Sequence, residues 1–514
     1  MNSKQSLLFL VIILSASVTC TPTPDFNLIE ATISDVHEAF ENGSLTAEEL
    51  TQMYLDRIEA YDQSTKVNAI TVINEEALRR ARELDEEYKK TGILRPLHGI
   101  PIIAKENYNT AGLQTTAGSA ALEGFEPSTD AFQIRKLKEA GTIIIAKSNM
   151  AEWAFSPMVT ISSLAGETLN PYNTEHTTAG SSGGTAASVA ANFAVIGLGT
   201  DTGNSIRGPS SHNALVGFRS SIGLTSREGI VPLYLRNDIG GPMGRTVEDA
   251  TRIFEVIAGY DPNDPVTEYS KDKVPESYTQ FLDKNALQGA RIGVLRKLSD
   301  DDVHPEVAEL FNQAIEDLKK LGAEIVDPFE VENFDELRQN QWCAVFEEDL
   351  NNYLSSLGDD VPVKNLDEVI ATGKYAEYIK GNLEYFQNTS QEQTDTVCGN
   401  PFTDTRRIAY RNAIENAMDK HNVDAFIYPS WNHPPAKVGD FDGYKGDNSQ
   451  VIAPHTGQPA FTVPMGYTSG NLPAGLQFVA RIFEDHKLVS FLYAYEQGTL
   501  HRKAPASFPD LTKD

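Results

Sequence analysis

Residues 177–209 read TTAGSSGGTAASVAANFAVIGLGTDTGNSIRGP, a run of Gly, Ser, Thr and Ala with almost no charge before Asp201 and Arg207. Small residues allow close backbone approach, and glycine permits turns that other residues resist. Two glycine-flanked serine sites, AGSSGG and GTDTGNSIR, stand at its ends, and the small apolar stretch 185–196 joins them. Such a segment either gathers backbone N–H groups and hydroxyls around a small reacting group or forms a tightly packed helix between two glycine turns. The surrounding chain has to decide.

That chain has 514 residues, enough for one large domain or two to three ordinary ones. Its 40% hydrophobic and 22% charged residues are those of a globular protein, not a disordered or fibrous one. The net charge of -29 repels nucleic acid and anionic lipid, so no nucleic-acid partner is expected. At the N-terminus Lys4 precedes the apolar run LLFLVIIL, and small residues lead to Cys20. This is the layout of a secretory signal peptide over residues 1–19, too short to span a membrane. SASVTC resembles a lipoprotein processing site with Thr19 where Gly or Ala is usual, and lipidation of Cys20 is read here over plain secretion. The mature body is then expected outside the cytoplasm, secreted, periplasmic or tethered to the envelope. Cys343 and Cys398 are too few for a disulfide framework; they either pair in an oxidising compartment or stay as two buried thiols. No CxxC or Cys/His cluster points to a metal.

Past a short linker, helices are expected at 26–40, 46–61 and 74–90. Thr46 and Glu49 make a capping-box pattern. From Leu97 the texture changes to short β-branched runs between glycines: GIPIIAKEN, AGTIIIAKSN and AVIGLGTD. These read as buried strands, with a helix at 130–140 between the first two. GGPMGRTVEDA reads as a turn leading into a helix that ends near Tyr260. Residues 260–288 are a polar excursion. A second α/β stretch follows, with strands at 291–295 and 323–326 around a helix at 305–321. Residues 334–420 are helical and acidic, and read as an insertion that covers something. Strands at 425–429 and 459–464 and a helix at 488–497 close the chain. Alternation of this kind predicts an α/β sheet covered on both faces, in one large domain over 26–500.

Several motifs mislead. GSSGG fits a nucleophile elbow centred on Ser182, but NPYNTEHTTA before it is no strand. GTIIIAKS nearly fits a phosphate loop, but its middle is a strand. Lys105 ends the strand of GIPIIAKEN. It is either half of a structural ion pair, with Glu106 or Asp201, or a buried amine whose lowered pKa lets it act as a base. In GTDTGNSIR, successive N–H groups before Ser205 can converge on one oxygen, as an oxyanion hole requires. His98, His176, His212 and His455 lack a triad context.

Taken together, GIPIIAKEN, GTIIIAKSNMAEW, AGSSGGTAA, GLGTDTGNSIRGP, GGPMGRTVEDA, GQPAFTVPMG and LPAGLQFV resemble, in order, the pieces of the amidase signature family. The resemblance runs from about Ser34 to Glu496. It implies a mixed central sheet covered by helices on both faces, and cofactor-free hydrolysis of carboxamides by a Ser–Ser–Lys triad. Matched piece by piece, it makes Lys105 the base, Ser181 the bridging serine at a cis peptide bond and Ser205 the nucleophile. Thr202, Gly203 and Asn204 join Ser205 around the oxyanion, and Ser182, Asp201 and Arg207 support the loop. Two departures stand out: Asn204, where glycine is common, and Glu106, where aspartate is common. The resemblance also admits an A-type component of an amidotransferase, or a non-catalytic binding protein on the same fold. The substrate is expected to be a small-molecule amide, with fatty acid, aryl, peptide C-terminal and small aliphatic amides all open, in a pocket bounded by 334–420 and the loop 431–438. Tyr375, Tyr378, Tyr385 and Phe386 are read as helix core.

Overall fold

The computed structural model describes residues 26–389 and 398–511; the expected signal peptide 1–19 and Cys20 lie outside them. An 11-stranded sheet organises the chain. Across it, the strands begin at residues 70, 143, 101, 196, 239, 216, 460, 472, 425, 291 and 324. The strands Pro101–Lys105, Ile143–Ser148 and Ile196–Asp201 are parallel neighbours, as are Ala425–Pro429, Arg291–Val294 and Glu324–Val326. Antiparallel strands join these two groups, so the sheet is mixed, as the resemblance implied. In each group the sequence-adjacent pair is linked through a helix, Phe132–Ala140 between the strands at 101 and 143 and Pro305–Lys320 between those at 291 and 324.

The expected helices form with small shifts. The first is Ile33–Glu41 rather than 26–40, because Thr32 and Asp35 cap it. Thr46 and Glu49 close the anticipated capping box on Ala47–Tyr61. GGPMG is a strand, not a turn: Ile239–Gly244 runs antiparallel to Ile196–Asp201. Its glycines serve close packing; a Cβ on Gly241 would sit 2.4 Å from the Phe218 carbonyl oxygen. Strands Ile70–Ile73, Val216–Arg219 and Leu472–Val479 were not anticipated.

Within 334–420 the helices Phe346–Ser356, Leu366–Thr372 and Lys380–Asn388 pack on Trp153, Phe125 and Val231 through a separate apolar cluster. Cys343 and Cys398 form a disulfide that joins the two ends of this layer. Among the described residues no helix is long and apolar enough to cross a membrane.

Candidate active site

Three strand ends and one helix start meet at the glycine-rich segment. Helix Gly183–Ala190 is buried throughout and lies against Ile196–Asp201, where a Cβ on Gly197 would approach Thr185 Cγ2 to 2.5 Å. The helix is therefore as tightly packed as its composition allows, and the turns at its ends are also held. The Gly180–Ser181 peptide is cis. A Cβ on Gly183 would clash with Thr160 Oγ1 and Thr178 Oγ1, and one on Gly184 with the Asn149 carbonyl oxygen. Ser182 Oγ donates to the Thr200 carbonyl and accepts from the Thr200 N–H. It pins the turn to the strand, which leaves the neighbouring Ser181 to face Lys105.

Lys105 Nζ donates to Ser181 Oγ and to Thr200 Oγ1, each at 2.8 Å. Among the described residues neither Glu106 nor Asp201 forms an ion pair with it; Glu106 faces Lys147 at 3.8 Å, and Asp201 is held by Arg207 and Arg219. Burial lowers the Lys105 pKa to about 7, with only a partial opposing pull from the more distant Asp201 and Asp238. The ion-pair reading of Lys105 is thus replaced by that of an amine near its titration point, resting on hydroxyls. Asn107 Nδ2 donates to the same Thr200 hydroxyl at 3.0 Å. Neither Thr200 nor Asn107 was picked out from the sequence, although both stand within the quoted motifs.

The loop before Ser205 is braced from beneath. Burial pushes the Asp201 pKa up, but Arg207 and Arg219 hold it at about 2. Its carboxylate accepts from Arg207 Nε at 3.0 Å and from the Ile206 N–H, and Arg207 Nη2 donates to the Gly203 carbonyl at 2.7 Å. Thr202 Oγ1 donates to Asp238, which also accepts the N–H groups of Leu233 and Tyr234. Among the described residues nothing accepts from the N–H groups of Gly203, Asn204 and Ser205, which leaves three adjacent donors free for an oxyanion. Asn204 does not adopt positive φ, so the loop does not need the glycine common in the family. Its Nδ2 donates to the Pro157 carbonyl at 3.2 Å, and the missing side chain of Gly208 makes room for it. The Ser205 hydroxyl makes a long hydrogen bond, 3.4 Å, to Asn204 Oδ1; among the described residues none joins it to Ser181.

The four histidines lie elsewhere. His98 bonds to the Leu84 carbonyl and His176 to the Pro435 carbonyl; His212 packs at a tilt against Trp431, and His455 meets Trp342 edge to face. Among the described residues no group of His, Cys, Asp and Glu is arranged to hold a metal.

Ser205 opens into a cavity of about 170 Å³, lined also by Thr202, Gly203, Asn204, Phe155, Phe346 and Phe386. Of the four aromatics read as core, only Phe386 reaches it; Tyr378 and Tyr385 are exposed, and Tyr375 packs against the helical layer. The loop 431–438 contributes no lining residue; Trp431 stands behind Asn204 near Gly208 instead.

A family model described as Amidase matches residues 49–489. The chain is 34% identical to a probable amidase of Arabidopsis thaliana over 93% of this chain and 92% of that protein. It is 31% identical to the A-type component of a glutamyl-tRNA(Gln) amidotransferase from Thermoanaerobacter pseudethanolicus, over 93% and 98% respectively. The crystal structure of native peptide amidase from Stenotrophomonas maltophilia superposes with a TM-score of 0.83 at 33% identity, covering 94% of this chain and all of that one.

Proposed function

The chain belongs to the amidase family, whose members include hydrolases of carbon–nitrogen bonds, and from that premise we propose an acyl-enzyme mechanism on Ser205. Ser205 Oγ attacks the amide carbonyl carbon, and its proton passes through the Ser181 hydroxyl to neutral Lys105. The free N–H groups of Gly203, Asn204 and Ser205 carry the oxyanion, with Thr202 closing the loop. The C–N bond breaks as the relay returns the proton to the departing nitrogen. Water then repeats the sequence on the ester, which releases the acid and restores Ser205.

The observation that carries this reading is the 2.8 Å contact of Ser181 with a buried lysine titrating near 7. A base with that pKa is half neutral at physiological pH, as general-base catalysis favours. In the resting arrangement the Ser205 hydroxyl leans on Asn204, so the transfer requires it to turn to Ser181. Apo enzymes commonly tighten such contacts only when substrate binds. The test is release of acid and ammonia or amine from a panel of amides by wild type and Ser205→Ala. If the variant retains wild-type turnover, Ser205 is not the nucleophile.

A second reading, an A-type component of an amidotransferase, is favoured by the 31% identity to such proteins. It calls for a second protein as partner, and co-purification with one, or with tRNA, would support it. Lys4, the 7–14 apolar run and Cys20 support secretion with a lipid tether, and the Cys343–Cys398 disulfide fits an oxidising compartment. The mass of the mature N-terminus tests this: an unprocessed Met1 would exclude both cleavage and lipidation at Cys20.

A further inference from the structure

The cavity beside Ser205 differs in character from the loop that carries the nucleophile. Phe155 and Phe346 meet edge to face at 4.7 Å, Phe155 stacks on Phe386 at 5.6 Å, and Phe346 meets Phe386 at 5.2 Å. Leu233 and Trp342 extend this wall. The polar lining consists of neutral groups, among them Asn204, Asn382 and Gln450. Among the described residues no Lys, Arg, His, Asp or Glu side chain lines the cavity. Charged groups behind this lining have partners of their own: Arg207 and Arg219 pair with Asp201, Arg236 with Asp349, Asp238 accepts from Thr202 and two backbone N–H groups, and Asp447 accepts from Gln450 and Tyr444.

Lys105 and Ser181 do not line the cavity. In the proposed mechanism the departing nitrogen must face those two groups to collect its proton, so the carbon side of the amide falls on the cavity side. An enclosed apolar cavity of about 150 Å³ holds one benzene; this one measures about 170 Å³ and is open to solvent on one side.

We propose that the substrate is an uncharged carboxamide whose acyl part carries a single ring-sized apolar group, seated among Phe155, Phe346 and Phe386. This inference rests on the Ser205 acyl-enzyme reading. It excludes free glutamine as a good substrate, because its ammonium and carboxylate would enter a pocket with no opposite charge to receive them. Acetamide is admitted but leaves the aromatic wall unfilled.

The test compares phenylacetamide, acetamide and L-glutamine as substrates of the full chain, with ammonia release as the readout. Burial of the ring should raise kcat/KM for phenylacetamide over acetamide by roughly 10- to 100-fold. L-glutamine should fall at least about 100-fold below phenylacetamide, since its charges lose hydration without compensation. Phe386→Ala should lower the phenylacetamide-to-acetamide ratio several-fold; being a ratio, it is unaffected by a smaller folded fraction. Equal turnover of phenylacetamide and acetamide, or preference for L-glutamine, overturns the proposal while the acyl-enzyme reading stands. If none of the three is hydrolysed and a fluorophosphonate fails to label Ser205, both fall together.

Discussion

Lys105 and Lys147 stand at the ends of neighbouring parallel strands, and both are fully buried. Lys147 is in register with Ala104, so the next residue, Lys105, projects from the opposite face of the sheet. There the resemblance ends. Lys147 lies 3.8 Å from the Glu106 carboxylate and donates to the Tyr108 carbonyl and the Thr115 hydroxyl. Among the described residues Lys105 meets only the hydroxyls of Ser181 and Thr200. Burial disfavours the charge on both amines, but only Lys147 has a carboxylate beside it to restore that charge. The company each amine keeps makes one a strut and the other a base.

The comparison breaks most visibly if the two lysines are exchanged for methionine. Lys105→Met should cut kcat/KM by about 10²- to 10⁴-fold, the range of a lost general base, while circular dichroism stays native. Lys147→Met should do the reverse. It leaves Glu106 buried without its cation, a loss of roughly 3–5 kcal/mol in denaturant unfolding, with a smaller effect on turnover in the folded fraction. If the stability loss falls on Lys105→Met and the chemical loss on Lys147→Met, the assignment is inverted.

The disulfide is the next largest expected effect. Cys343 and Cys398 are 55 residues apart and enclose the helices that bear Phe346, Asn382 and Phe386. Replacing both by alanine should release about 4 kcal/mol of loop-closure stabilisation, read as faster proteolysis within 344–397. A smaller effect should follow Thr200→Val, which removes one of the two hydroxyls that Lys105 meets. We expect turnover to drop roughly tenfold, consistent with loss of one buried hydrogen bond.

The two lysines can also be separated by pH. Protonated Lys105 cannot accept the relay proton, so the rate should fall as pH drops below about 7 and level off above it. Linkage has a definite sign here. Between about 7 and the ordinary lysine value of 10.5, the unfolded chain binds a proton at residue 105 that the folded chain does not. The Lys105 contribution to stability therefore rises with pH over that window, and its full penalty applies below it. Lys105→Met should remove this part of the slope of stability against pH.

Much of this site can be read along the chain, because its chemistry sits in short motifs. Lys105 ends an apolar strand, and Ser181 and Ser205 bound the glycine-rich segment. Glycines there are demanded by contacts such as Thr160 Oγ1 against Gly183, and that demand leaves a compositional trace. Thr200 and Asn107 stand inside the same motifs but look like ordinary strand-end polar residues. Only the fold brings Thr200 against Lys105 and Asn107 against Thr200. The cavity wall is less legible still. Phe155, Leu233, Trp342 and Phe386 come from distant parts of the chain, and a phenylalanine on an amphipathic helix reads as core whichever side it faces. The strand Ile239–Gly244 was hidden for a related reason, since its glycines suit a turn as well as a crowded sheet centre. Asn204 fits by a local exchange of space with Gly208 that single-residue preferences do not show.

The most direct measurement is the rate and position of fluorophosphonate labelling in wild type and Lys105→Met across the neutral pH range, read by intact mass and peptide mapping. One adduct on Ser205, forming faster as pH rises through about 7 in wild type but slowly and without that inflection in the variant, is the expected result. An adduct on Ser182 or another serine, or labelling at Ser205 that neither pH nor Lys105→Met alters, would contradict the assignment of Lys105 as the base for Ser205.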